Sequence, residues 1–123
     1  MSLKLDIRET SGVAIIDLSG RITLGDGTGE LREALGGLKS TGHRQILLNL
    51  ADVSFLDSSG IGVLVGAYAT ITNGGGKLKL MHLSSRVKDV LLVTKLYTVF
   101  EVFDDEAPAI ASFTELEAPA TRG

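Results

Sequence analysis

No cysteine and no tryptophan occur in the 123 residues, there are only 2 prolines, and aromatic residues make up 5% of the chain. Without cysteine, disulfides, thiolate catalysis and cysteine-based zinc sites are excluded, and the composition suits a reducing cytoplasm. The shortage of aromatics removes the stacking platforms on which single-stranded nucleic acids are held. Charge of one sign does not accumulate either: 12 Lys and Arg are dispersed among 15 Asp and Glu, for a net charge of -3. Such a chain has no basic footprint to neutralise a phosphate backbone, so nucleic acid is not an expected partner. No apolar run approaches the ~20 residues that span a bilayer, and Met1-Ser2-Leu3-Lys4-Leu5-Asp6 lacks a basic leader followed by an apolar stretch. The expectation is a cytoplasmic protein with no membrane insertion.

Catalytic signals are equally sparse. His43 and His82 have no metal-ligand spacing to each other or to a carboxylate, so neither a metal nor another cofactor is expected. A serine-nucleophile elbow, Gly-x-Ser-x-Gly, is absent because Leu56 stands where its first glycine would be required. Gly25, Gly27 and Gly29 are spaced two apart, without the spacing of a dinucleotide turn or the Gly-Lys-Ser/Thr ending of a P-loop. A flexible loop that touches a partner fits them better than a phosphate cradle. The chain does not read as an enzyme.

What is present is a core: 44% of the residues are hydrophobic, enough for one domain to fold without staples. Leu3, Leu5 and Ile7 alternate with polar residues as a half-buried strand, Ser11-Gly12 makes a turn, and Val13 to Leu18 completes a hairpin that Ser19-Gly20 closes. A helix follows over Glu30 to Lys39, capped by Asp26 or Thr28, with Leu31, Leu35 and Leu38 inward and Gly36-Gly37 weakening its last turns. Gln45 to Val53 is apolar on both faces at its centre, as a strand inside a parallel sheet would be. A second helix runs from Ser58 or Ser59 to about Asn73 and stops at Gly74-Gly75-Gly76. A strand with Leu78, Leu80 and Leu83 comes next, then a helix capped by Ser84-Ser85 with Val87, Val90, Leu91 and Leu92 inward, ending near Leu96. Phe100 to Phe103 reads as a short strand, and Asp104-Asp105-Glu106 opens a last helix with Ile110, Phe113 and Leu116 inward. The fold class is therefore α/β: a mixed, mostly parallel sheet of four or five strands with an N-terminal hairpin and about four helices, in the order ββαβαβαβα. One domain is expected over residues 1–117, with a frayed, disordered tail over 118–123.

In such an alternation, function gathers at the C-terminal ends of strands. There the chain places Phe55-Leu56-Asp57-Ser58-Ser59-Gly60-Ile61-Gly62-Val63-Leu64-Val65-Gly66. The N–H groups that open a helix lack internal partners and carry partial positive charge, so a side-chain oxygen or a phosphoryl group is stabilised there. Asp57 and Ser58 fit a plain cap; Ser58 also fits a modification site, where about two negative charges would change what the surface binds. The helix behind is apolar on nearly every side, which leaves some of that surface exposed. Gly62 and Gly66, four apart, would admit either this protein's own packing or a partner.

Asn49 to Gly66 closely resembles the signature of the STAS domain, the family of sulfate transporters and anti-sigma factor antagonists. Weaker similarity covers Gly20-Arg21-Ile22, Asn73 to Gly76 and Val99 to Phe103, and the free-standing chain resembles the bacterial anti-sigma factor antagonists. That resemblance implies an unphosphorylated protein that binds an anti-sigma factor, itself a serine kinase, and so frees the sigma factor. Phosphorylation at Ser58 would weaken the complex and a serine phosphatase would restore it, ATP and Mg²⁺ belonging to the kinase. It also implies that Asp57 positions the serine while Ser59 and Gly60 form the helix start, with Gly62, Val65 and Gly66 in the partner surface. Thr23 stands at about the place where many antagonists carry an acid, in a loop extended to Gly29, so that Asp26 would substitute. The alternatives are a binding subunit of a lipid-handling ABC transporter or a signalling scaffold, in which Ser58 only caps. A nucleotide-binding domain is a third reading, for which no measurable binding of ATP or GTP is expected. Weak homodimerisation is left open.

Overall fold

The computed structural model describes residues 3–115, so the boundary at 117, the tail after it and Leu116 lie outside the described residues. Strands β1 (Lys4–Thr10) and β2 (Val13–Ile22) form the expected hairpin, closed between paired Thr10 and Val13. Its two turn residues both take positive φ, 53° at Ser11 and 80° at Gly12, the turn whose twist matches that of the strands. β2 does not stop at Ser19-Gly20. It bulges there, Gly20 taking φ 119°, and continues beside β3 (Gln45–Leu56) to Ile22. The remaining elements are α1 (Thr28–Ser40), α2 (Ser58–Asn73), β4 (Lys77–Met81), α3 (Ser85–Thr94), a 3-10 turn over Leu96–Thr98, β5 (Val102–Phe103) and α4 (Glu106–Glu115). The five strands lie in sequence order, β1 antiparallel to β2 and the others parallel.

Alternation along the central strands divides the core in two. Ile16, Ile46, Leu48 and Leu80 face α1, α2 and α3, where Leu31, Leu64 and Leu91 meet them. Val13, Ile15, Leu47 and Met81 face α4 through Ala109 and Phe113. α1 runs through Gly36 and Gly37 because its buried stripe, Leu31, Leu35 and Leu38, outweighs the propensity cost of the glycines. Gly75, at φ 88°, ends α2, its N–H donating to Thr72 O (3.0 Å) while Gly76 N–H donates to Ile71 O (2.8 Å).

Several expectations needed correction. The cap of α1 is neither Asp26 nor Thr28 but Gly27, at φ 102° and with no side-chain cap. A Cβ on Gly27 would overlap the Arg21 carbonyl, so a long-range approach selected the glycine. Ile7 is 51% exposed because β1 is an edge strand that the helices do not cover to its end, and Leu92 is 52% exposed on the far side of α3. β5 is shorter than its pattern, since Phe100 is a core residue before the strand begins.

α4 is held by polar anchors as well as by its apolar stripe. Arg8 Nε donates to Asp17 (2.6 Å), and its Nη2 and Nη1 donate to Glu106 (2.7 and 2.9 Å), while Asn49 Nδ2 donates to Asp17 (2.8 Å). The hydrogen bonds from Arg8 hold both carboxyls below the usual carboxylate range. Deeper in, the Lys79 side chain is 2% exposed, its Nζ 2.8 Å from Ser112 Oγ, 3.1 Å from Glu101 and 4.6 Å from the centre of the Phe113 ring. Burial of this charge is compensated on three sides.

Candidate functional site

β3 delivers Asp57 to the point where α2 starts. Asp57, in an extended conformation, is the N-cap: its Oδ1 accepts from Gly60 N–H (2.9 Å) and its Oδ2 from Leu24 N–H (3.1 Å). Those two backbone donors, Gly60 first, lower the Asp57 pKa from the ordinary carboxylate value. The same carboxylate thus fixes the helix start and the loop after β2. Gly60 is required in turn, because a Cβ there would overlap the Ile22 carbonyl and lie 2.6 Å from Leu56 Cδ1.

With the cap supplied by Asp57, Ser58 is the first helical residue and is exposed. No hydrogen bond engages its Oγ among the described residues. This departs from the expectation that the helix start draws on an oxygen of Ser58. Ser59 is half-buried.

The glycine loop is hydrogen-bonded within itself. Thr23 and Asp26 exchange backbone hydrogen bonds (2.8 and 2.9 Å), Thr23 is buried, and Asp26 is half-buried with Arg21 at 3.9 Å. Leu24 projects from the turn, 78% exposed, two residues beyond the end of β2, with its own N–H held by Asp57.

Gly62 and Gly66 do not serve internal packing: a Cβ on either would meet nothing within 4 Å. They line a groove of about 400 Å³ between α1 and α2, with Leu35, Gly36 and Ala67, and with Arg32 and Lys39 along the α1 side. Val65 lies outside that lining, half-buried against the core. A larger concavity, about 500 Å³, opens by Glu9, His43 and Arg44 at the start of β3, the far end of the strand from Ser58. Sequence reasoning missed a further group near Ser58, in which the guanidinium carbons of Arg21 and Arg86 lie 5.6 and 5.5 Å from the centre of the Phe55 ring. Only the fold joins residues from β2, β3 and α3, so no local pattern marked them.

Among the described residues no cluster of three or more His, Cys, Asp or Glu could hold a metal, and no helix is long and apolar enough to cross a membrane. The model of the STAS domain matches residues 4–109. The chain belongs to the STAS family. Over 117 residues this STAS chain is 28% identical to the anti-sigma F factor antagonist of Paenibacillus polymyxa, covering 95% of this chain and 97% of the relative. It is 30% identical over 102 residues to the anti-sigma-B factor antagonist of Bacillus subtilis, covering 83% and 92%. A crystal structure from Thermotoga maritima shares the fold at TM-score 0.83 and 22% identity, covering 89% of this chain and 94% of that one. The five-stranded mixed sheet with its hairpin is thus the STAS architecture.

Proposed function

We propose that this STAS chain is an anti-sigma factor antagonist: it binds an anti-sigma factor serine kinase while unmodified, releases the sigma factor, and is switched off by phosphorylation at Ser58. The observation that carries this reading is the division of labour at the start of α2. Asp57 satisfies the helix and the loop, so Ser58 Oγ is exposed and uncommitted at a helix N-terminus. Curated relatives that match most of this chain are named antagonists of anti-sigma factors, which supports the same reading. The kinase supplies ATP and Mg²⁺, a serine phosphatase resets the switch, and the antagonist is not itself a catalyst.

The switch works by differential binding. A phosphoryl group brings about two charges, which an interface built on Leu24 and the apolar start of α2 must desolvate in the complex but not in the free protein. Calorimetric titration with the kinase tests it: Ser58→Asp should bind at least tenfold more weakly than Ser58→Ala, about 1.4 kcal/mol. Equal affinities would refute the switch. Incubation with kinase and ATP should place phosphate on Ser58 by mass spectrometry; phosphate on Ser59, or none, would also refute it.

The groove between α1 and α2 favours one other reading, a binding subunit of a lipid-handling ABC transporter or a signalling scaffold that docks permanently. For such a subunit, changes at Ser58 would leave affinity unaltered while Gly62→Ala would reduce it.

A further inference from the structure

We propose that Arg21, Phe55 and Arg86 form a cationic-aromatic platform beside Ser58 that receives an acidic segment of the protein partner. The inference rests on the reading that the partner docks around Ser58, and it specifies the chemistry of the partner's contact surface.

Three separate elements build the platform. Arg21 comes from the end of β2, Arg86 from the first turn of α3, and Phe55 from β3 between them. Phe55 is 37% exposed, an unusual position for one of only 4 phenylalanines, and both guanidinium carbons lie within 6 Å of the centre of its ring. A guanidinium stacked on a ring keeps its fork of N–H donors for a carboxylate. Those donors are hardly used within the chain. Arg86 makes no ion pair among the described residues, and the carboxylate nearest Arg21 is Asp26, at 3.9 Å. Arg8, by contrast, is matched by two carboxylates at 2.6 and 2.7 Å. A chain of net charge -3 therefore displays two closely placed, weakly paired cations.

Their position fits one footprint with the serine. Phe55 and Ser58 are three residues apart, so their Cα atoms are separated by at most about 11 Å. One side of a standard interface covers about 800 Å², a disc of about 16 Å radius, and includes both. Two cations and one ring are too few to track a nucleic-acid backbone, whereas they suit one or two carboxylates on a protein surface. Electrostatic pairing of this sort sets association rate and partner choice.

The test is binding to the purified anti-sigma factor kinase by surface plasmon resonance at 50 and 300 mM salt. The double variant Arg21→Glu/Arg86→Glu should bind at least tenfold more weakly at 50 mM, with the gap narrowing at 300 mM as charge is screened. Arg44→Glu, at the opposite end of β3, should match the wild type at both. If the reversed variant does not fold, Arg21→Gln/Arg86→Gln, with melting temperature measured alongside, should show at least a threefold loss. Unchanged affinity in the folded double variant overturns the platform, and it leaves the switch standing if Ser58→Asp still weakens binding. A wild-type chain that does not bind the kinase overturns both. Binding of a fluorescein-labelled single-stranded 20-mer that the double variant loses would assign the platform to nucleic acid and overturn the inference.

Discussion

Gly60 and Gly62 belong to one helix, two residues apart, and substitution of each by alanine should have opposite effects on stability. At Gly60 the new Cβ would meet the Ile22 carbonyl and Leu56 Cδ1. Leu56 can turn aside, but the carbonyl cannot, because Ile22 is paired with Leu56 in the sheet and accepts from Asp57 N–H. Overpacking against backbone costs about 3 kcal/mol, the upper part of the usual range, and the gain in helix propensity returns about 1. The net loss of about 2 kcal/mol lowers the melting temperature by about 8 °C for a chain of this size. At Gly62 the Cβ meets nothing, so only the propensity gain of about 1 kcal/mol remains and the midpoint rises by about 4 °C. Thermal unfolding followed by circular dichroism, with urea titration at 25 °C as a second measure, separates the two signs. A Gly60→Ala protein as stable as wild type, or a Gly62→Ala protein that melts lower, would refute the reasoning.

Arg8→Met should lose about 1 kcal/mol at pH 7, a small figure because all three side chains are about a third exposed and water screens the pairs. Since Arg8 depresses the folded pKa of both Asp17 and Glu106, its contribution is complete above their unfolded values near pH 4 and is lost as pH falls through the lower folded ones. Urea midpoints of wild type and variant should therefore converge as the pH falls below those unfolded values; a constant difference would refute the assignment. Lys79→Met keeps the stem and leaves Glu101 in water, so stability should stay within about 1 kcal/mol of wild type, whereas Lys79→Ala opens a cavity under α4 and should cost about 2–4 kcal/mol. Equal urea midpoints for the two variants would contradict this.

Strand and helix periodicities carried the order of elements because each central strand is buried on both faces and helices such as α1 show a stripe, here Leu31, Leu35 and Leu38. The motif at Asp57 and Ser58 was legible because a strand pattern changes there into a helical one. What was not legible depends on contacts distant in sequence. Gly27 is selected by the Arg21 carbonyl, and Ile7 and Leu92 are exposed because no element covers them. Lys79 lies beneath a helix that begins 27 positions later, and Phe55 meets two arginines from other elements. Asp57 and Ser58 compete for one cap in sequence, and only the folded chain decides between them.

The two bonds of Asp57 have a mechanical consequence. One oxygen holds the helix and the other holds the loop, so neither end can shift without disturbing the carboxylate between them. A dianion installed on the next residue would repel that carboxylate and strain both attachments together. News of the serine's state would then reach Leu24, on the far side of the bracket, and a partner gripping only the loop would still register it.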